Sequence, residues 1–145
     1  MVNSIQCNGQ SNDGSEIYMY VNGNKSVVNL SGSEKSELLN IIEEMFSDID
    51  DELRLYVDHD RVESIKKEDK ALEIVFDKET VLTTKSRGSY KINRLLIPLT
   101  GELSFNINEN RIIFITGNPD YSGSPLNSNC NKNTLMRFLK LIDNR

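Results

Sequence analysis

Apolar positions recur along this chain in two rhythms, and each change of rhythm marks an element. Asp13-Gly14 and Asn22-Gly23 tolerate positive φ at both centres of a type I′ turn. They bracket Ile17-Tyr18-Met19-Tyr20-Val21, and Val27-Val28-Asn29-Leu30 follows, so the first thirty residues predict a three-stranded antiparallel meander whose middle strand is the best defined. Ser31-Gly32-Ser33-Glu34 then places a hydroxyl three residues before a carboxylate, the spacing of a capping box. Leu38, Leu39, Ile41, Ile42, Met45, Phe46 and Ile49 follow at helical intervals. On that helix Glu37, Glu44, Asp48 and Asp51 recur at steps of seven, four and three, which predicts one solvent-facing acidic stripe.

Beyond the helix Leu53, Leu55 and Val57 alternate with Arg54, Tyr56 and Asp58, the period of a strand with one buried face. Val62-Glu63-Ser64-Ile65 fits neither rhythm, and Lys66-Lys67-Glu68-Asp69-Lys70 reads as a polar turn. Ala71 to Phe76, Thr80 to Thr84 and Tyr90 to Ile97 read as successive strands, with Ser86-Arg87-Gly88-Ser89 as a turn and Pro98 marking a strand end. Glu102 to Phe105 and Arg111 to Ile115 predict a hairpin across Asn106 to Asn110. A turn-rich loop runs from Gly117 to about Asn133, and a last helix, capped by Asn133 or Thr134, puts Leu135, Phe138, Leu139 and Ile142 on one side. Short connections favour antiparallel pairing. The expected fold is α+β: a mainly antiparallel sheet with one central amphipathic helix and a C-terminal helix packed on it, as a single domain over residues 1–145.

Composition narrows the class. With 145 residues, 37% apolar and 27% charged, the chain suits one hydrophobic core, and no window approaches the length of a membrane span. The N-terminal residues lack a basic segment followed by an apolar run, so no secretory signal is expected. Cys7 and Cys130 stand far apart and form no CxxC pair, which favours free thiols and a cytoplasmic setting. Charge is divided along the chain: residues 1–79 hold eighteen acids against eight bases, residues 80–145 four against nine. The densest stretch is Glu43, Glu44, Asp48, Asp50, Asp51, Glu52, Asp58 and Asp60, interrupted by one base, Arg54. A solvated, solubilising helix face is one use of such a run, and a surface that attracts a basic partner is the other.

Motifs for chemistry are broken or missing. Asp48, Asp50 and Glu52 imitate the opening of a calcium loop, but Leu53 stands where that loop needs Gly and His59 where it needs Glu. One histidine and two distant cysteines do not make a zinc site. Asp58-His59-Asp60 places an imidazole between carboxylates, which could serve acid–base work, yet no nucleophile setting accompanies it. A nuclease pattern of Asp followed by Glu-x-Lys fails at Glu73-Ile74-Val75. Gly32 lacks a phosphate-loop context, and Lys85, Arg87, Lys91, Arg94 and Arg111 form only a modestly basic sheet region in a chain of net charge −5. No catalytic residue, metal, cofactor, nucleic acid or membrane is expected.

Leu95-Leu96-Ile97-Pro98-Leu99-Thr100-Gly101-Glu102, followed by Ile112-Ile113-Phe114-Ile115-Thr116-Gly117-Asn118-Pro119-Asp120-Tyr121, resembles immunity proteins of bacterial polymorphic toxin systems, including contact-dependent growth inhibition. The resemblance covers the C-terminal third. It implies a small cytoplasmic α+β protein that binds and neutralises a cognate toxin domain, commonly a nuclease. The charge pattern nominates the eight acids from Glu43 to Asp60 as the contact face for a basic toxin, with Asn118, Asp120 and Tyr121 as a second contact. A chaperone or other interaction module is the nearest alternative. An acid–base or metal-dependent hydrolase centred on His59 is the alternative from another class. Oligomeric state is not legible.

Overall fold

The computed structural model describes residues 14–143. Their elements run β1 (Glu16–Val21), β2 (Asn24–Val27), α1 (Gly32–Ser47), β3 (Ile49–Glu52), α2 (His59–Glu68), β4 (Lys70–Thr83), β5 (Ser89–Pro98), β6 (Arg111–Gly117), β7 (Leu126–Asn129) and α3 (Lys132–Asp143). The strands form one sheet in the order β2-β1-β4-β5-β6-β7-β3. Every neighbouring pair is antiparallel. The α+β expectation therefore holds, with a mainly antiparallel sheet, an amphipathic helix and a C-terminal helix.

Alternation along the interior strands sorts side chains onto two faces. Leu72, Ile74 and Phe76 of β4, Leu95 and Ile97 of β5, and Ile112 and Phe114 of β6 join the larger core with the buried faces of α1 and α3. Ala71, Leu96, Ile113 and Ile115 point the other way, into a second core with Val57, Val62, Ile65, Leu103 and Tyr121. The sheet thus has α1 and α3 on one side and α2 on the other. Phe46 of α1 sits fully buried against the sheet, edge-on to Tyr90 at 5.7 Å between ring centres and tilted on Phe114 at 5.4 Å.

Local signals explain the clearest elements. Asn22 and Gly23 have φ of 50° and 88°, and Val21 pairs with Asn24, so the predicted turn closes the β1–β2 hairpin. Ser31 caps α1 in a complete capping box with Glu34. Asp13 and the first strand of the meander lie outside the described residues, as does Cys7; Cys130 is a buried free thiol. Burial pushes that thiol up to about 11.

Elsewhere long-range pairing overrides the pattern. The helix stops at Ser47, Asp48 is its C-cap, and the strand that follows is Ile49–Glu52, not Leu53 to Val57. Asp-Asp-Glu is poor strand sequence, and it is held because β7 supplies a ladder. β7 itself lies inside the expected loop, and α3 begins at Lys132, where Asn131 accepts from the Asn133 N–H and so takes the capping role expected of Asn133 or Thr134. α2 was not expected: Asp58 caps it by accepting from the Arg61 N–H at 3.0 Å, while Val62 and Ile65 make its buried face. β4 runs unbroken through Asp77-Lys78-Glu79, with a register irregularity between Val75 and Thr80. Glu102 to Phe105 forms no strand; Asn106 bridges Arg111, and a 3-10 turn at Ile107–Glu109 ends on Asn110 at φ 52°.

Replacing Phe46 with Ala should lower stability by about 3–5 kcal/mol in denaturant unfolding, because it empties the contact between α1, Tyr90 and Phe114. Replacing the exposed Leu55 should change it by less than about 0.5 kcal/mol.

Candidate partner-binding surface

The eight acids do not form one stripe. Glu43 and Glu44 stay on the exposed side of α1, where they line a groove of about 560 Å³ with Asn40, Ser47, Val81 and Thr83. Glu44 also accepts from the Thr134 hydroxyl, tying α1 to α3. The run then leaves the helix. Asp48 pairs with Lys85 at 2.7 Å, Asp50 accepts from Asn129 Nδ2 at 2.7 Å, and Glu52 pairs with Arg87 at 3.2 Å. These are the carboxylates that imitate a calcium loop, and each is held by a different side chain. Among the described residues no group of three or more His, Cys, Asp or Glu side chains is placed to hold a metal ion.

Asp51 accepts only from the neighbouring Glu52 N–H, at 2.9 Å, and Asp60 lies exposed in the first turn of α2. Asp58 is the α2 cap and His59 the first residue of that helix, fully on the surface. Among the described residues Glu43, Glu44, Asp50, Asp51, Asp58 and Asp60 enter no salt bridge. They are the part of the acidic run that the protein's own bases leave unneutralised.

Between β3 and α2 the chain crosses as a pinned loop. Leu53 N–H donates to Pro125 O at 2.9 Å, and Val57 exchanges backbone bonds with Gly123 at 2.8 and 3.1 Å. Val57 is thereby buried, while Tyr56 between the pins is 67% exposed and Leu55 is exposed beside it. Sequence reasoning put Tyr56 on the outward side of a strand but did not single it out; an aromatic among acids was the available signal. An exposed aromatic on a fixed loop among carboxylates suits contact with another protein.

The second expected contact divides. Asn118 donates to Glu79 at 2.8 Å and to Lys91 O at 3.2 Å, fastening the 118–121 turn onto the sheet. Asp120 is exposed. Tyr121 is 3% exposed, and its hydroxyl donates to Glu73 at 2.7 Å, so it is a core residue rather than a contact for a partner.

Among the described residues Glu73 is the one buried carboxylate, 2% exposed on β4. Tyr20 donates to it at 3.0 Å, and Lys66 of α2 approaches at 3.0 Å with its ammonium over the Tyr20 ring. Gly117 makes the arrangement possible, since a Cβ there would lie 2.9 Å from Arg94 Cγ and 3.1 Å from the Tyr121 ring. Burial pushes the Glu73 carboxyl up, but the Tyr121 hydroxyl, the Lys66 charge and the Tyr20 hydroxyl outweigh it and hold it below the usual carboxylate range. Burial and the carboxylate together push both tyrosines well above the ordinary phenol range. With three donors on it, Glu73 is an internal tie between α2 and the sheet. Sequence reasoning weighed it only as part of a broken nuclease motif, although a Glu inside Ala71 to Phe76 was the signal of a buried charge.

Glu73→Gln should cost about 2–4 kcal/mol at neutral pH, because it removes the nearer and buried countercharge of the largely buried Lys66 and leaves it only the exposed Glu63 at 3.6 Å. The folded carboxyl titrates below its unfolded value. Its contribution is therefore complete above the ordinary carboxylate pKa and fades as pH falls through the lowered one; unfolding measured against pH should show that acid slope in the native chain and a flatter one in the variant. Compared with protein-family models, with curated proteins and with solved structures, the chain matches none.

Proposed function

We propose that this protein is a non-catalytic inhibitor of the immunity type, which binds a basic toxin domain, a nuclease for example, and neutralises it. The observation that carries this reading is the pinned loop that exposes Tyr56 two residues before Asp58, in a chain stretch whose acids the protein's own bases pair only at Asp48 and Glu52. An unneutralised acidic surface speeds encounter with a basic protein, and a rigid aromatic supplies a contact that holds it. Inhibition then needs no chemistry of the protein's own, only coverage of the partner's basic site.

Glu43, Asp51 and Asp60 are the carboxylates to reverse. The Asp58 side chain caps α2 and the Asp48 side chain is tied to Lys85, so changing them confuses folding with binding. Purification of the tagged protein from the cells that make it, at low and at moderately high salt, should recover a basic partner whose own activity is lost in the complex. With that partner, Glu43→Lys/Asp51→Lys/Asp60→Lys should slow association about tenfold or more at low salt. Tyr56→Ala should speed dissociation by roughly thirtyfold, the equivalent of about 2 kcal/mol. A partner that keeps its activity when bound would make this a carrier or chaperone instead. Unchanged kinetics in both variants would move the interface elsewhere.

A further inference from the structure

The tip of the β4–β5 hairpin is fixed in shape before it touches anything else. Thr84, 5% exposed, donates from both its N–H and its hydroxyl to Gly88 O at 2.8 Å, and its hydroxyl oxygen accepts from the Arg87 N–H at 2.7 Å. Gly88 takes φ of 79°, which closes the turn. Lys85, Ser86 and Arg87 are thereby held out from one end of the sheet.

That tip lies against β3, the strand at the end of the sheet order. Lys85 N–H donates to Ser47 O at 2.9 Å and the Ser86 hydroxyl to Ile49 O at 3.3 Å. Lys85 Nζ meets Asp48 just before the strand and Arg87 meets Glu52 at its last residue. Two cations two residues apart thus take the two carboxylates that frame β3. The remaining acids of the run face no such contact.

We infer that the Lys85-Ser86-Arg87 tip is a built-in competitor, an internal basic segment that occupies the β3 end of the acidic surface and whose two cations must be displaced before a basic partner covers it. This rests on the acidic surface being the one that receives a basic partner. The Lys85 side chain is 74% accessible and Arg87 and Glu52 are both partly accessible, so these two side chains can exchange partners while the Lys85 N–H and the Ser86 hydroxyl keep the tip in place. Its effect is to restrict tight binding to a partner that offers more than charge, such as a pocket for Tyr56, and to discourage loose association with any polycation.

The test uses the full chain and an oligo-arginine peptide as the basic probe, followed through backbone amide shifts. Lys85→Gln/Arg87→Gln should bind the peptide about threefold or more tighter than the native chain, with new shifts at Asp48 to Glu52. Arg137→Gln/Lys140→Gln, which removes the same charge from the exposed side of α3, should leave affinity within about twofold of the native chain. Lys85→Gln alone should give an intermediate gain and guards against misfolding of the double variant. Equal tightening by the tip and the α3 variants would overturn the competitor and leave the acidic surface standing. Peptide shifts absent from Glu43 to Asp60 in every variant would overturn both.

Discussion

Glu73 lies in the middle of β4, an interior strand, where an ionised carboxylate without partners would cost several kcal/mol, and the elements around it are placed to supply donors. Tyr20 reaches it from β1, Tyr121 from the turn after β6, and Lys66 from α2. Three segments separated by about fifty residues are thereby tied to one point on the sheet. The α2 side has a smaller apolar core than the other, and this polar tie fixes the helix that the core alone would hold loosely. Because the tie fastens α2 by its last turn, it also positions the loop that leads into the helix. Tyr56 is presented from a loop held at both ends, by Leu53 on Pro125 and by Val57 on Gly123.

Charge follows a second constraint. The chain is acidic in its first part and basic in its last, but antiparallel pairing folds the two parts together. Lys85 and Arg87 come to Asp48 and Glu52. The asymmetry written along the chain is cancelled in space at the two carboxylates that frame β3. What survives is a set of acids without an ion pair, divided between α1, β3 and the start of α2.

Elements governed by neighbours in sequence were legible: the Asn22-Gly23 turn, the capped start of α1, the apolar faces of α1 and α3, and strand structure between Ala71 and Ile97, read as three strands where β4 and β5 are two. Elements governed by distant partners were not. Ile49 to Glu52 reads as the end of a helix and Leu126 to Asn129 as loop, and each is a strand only because the other lies beside it. α2 carried a readable cap in Asp58 and two apolar residues three apart, but its polar remainder hid it. The acidic run was visible as composition and the outward Tyr56 as alternation; that Tyr121 is buried was not, since it is an aromatic in turn-rich sequence whose partner Glu73 lies 48 residues away.

By itself the sequence determined the secondary elements with local caps and turns, the α+β class, and the store of acids near the middle of the chain, because propensity, capping and periodicity act over a few residues. Tertiary structure alone decided which acids are neutralised, that Tyr121 is buried, and where Glu73 finds its donors. Each of those depends on contacts across tens of residues, which a close-packed sheet sets through register and not through composition.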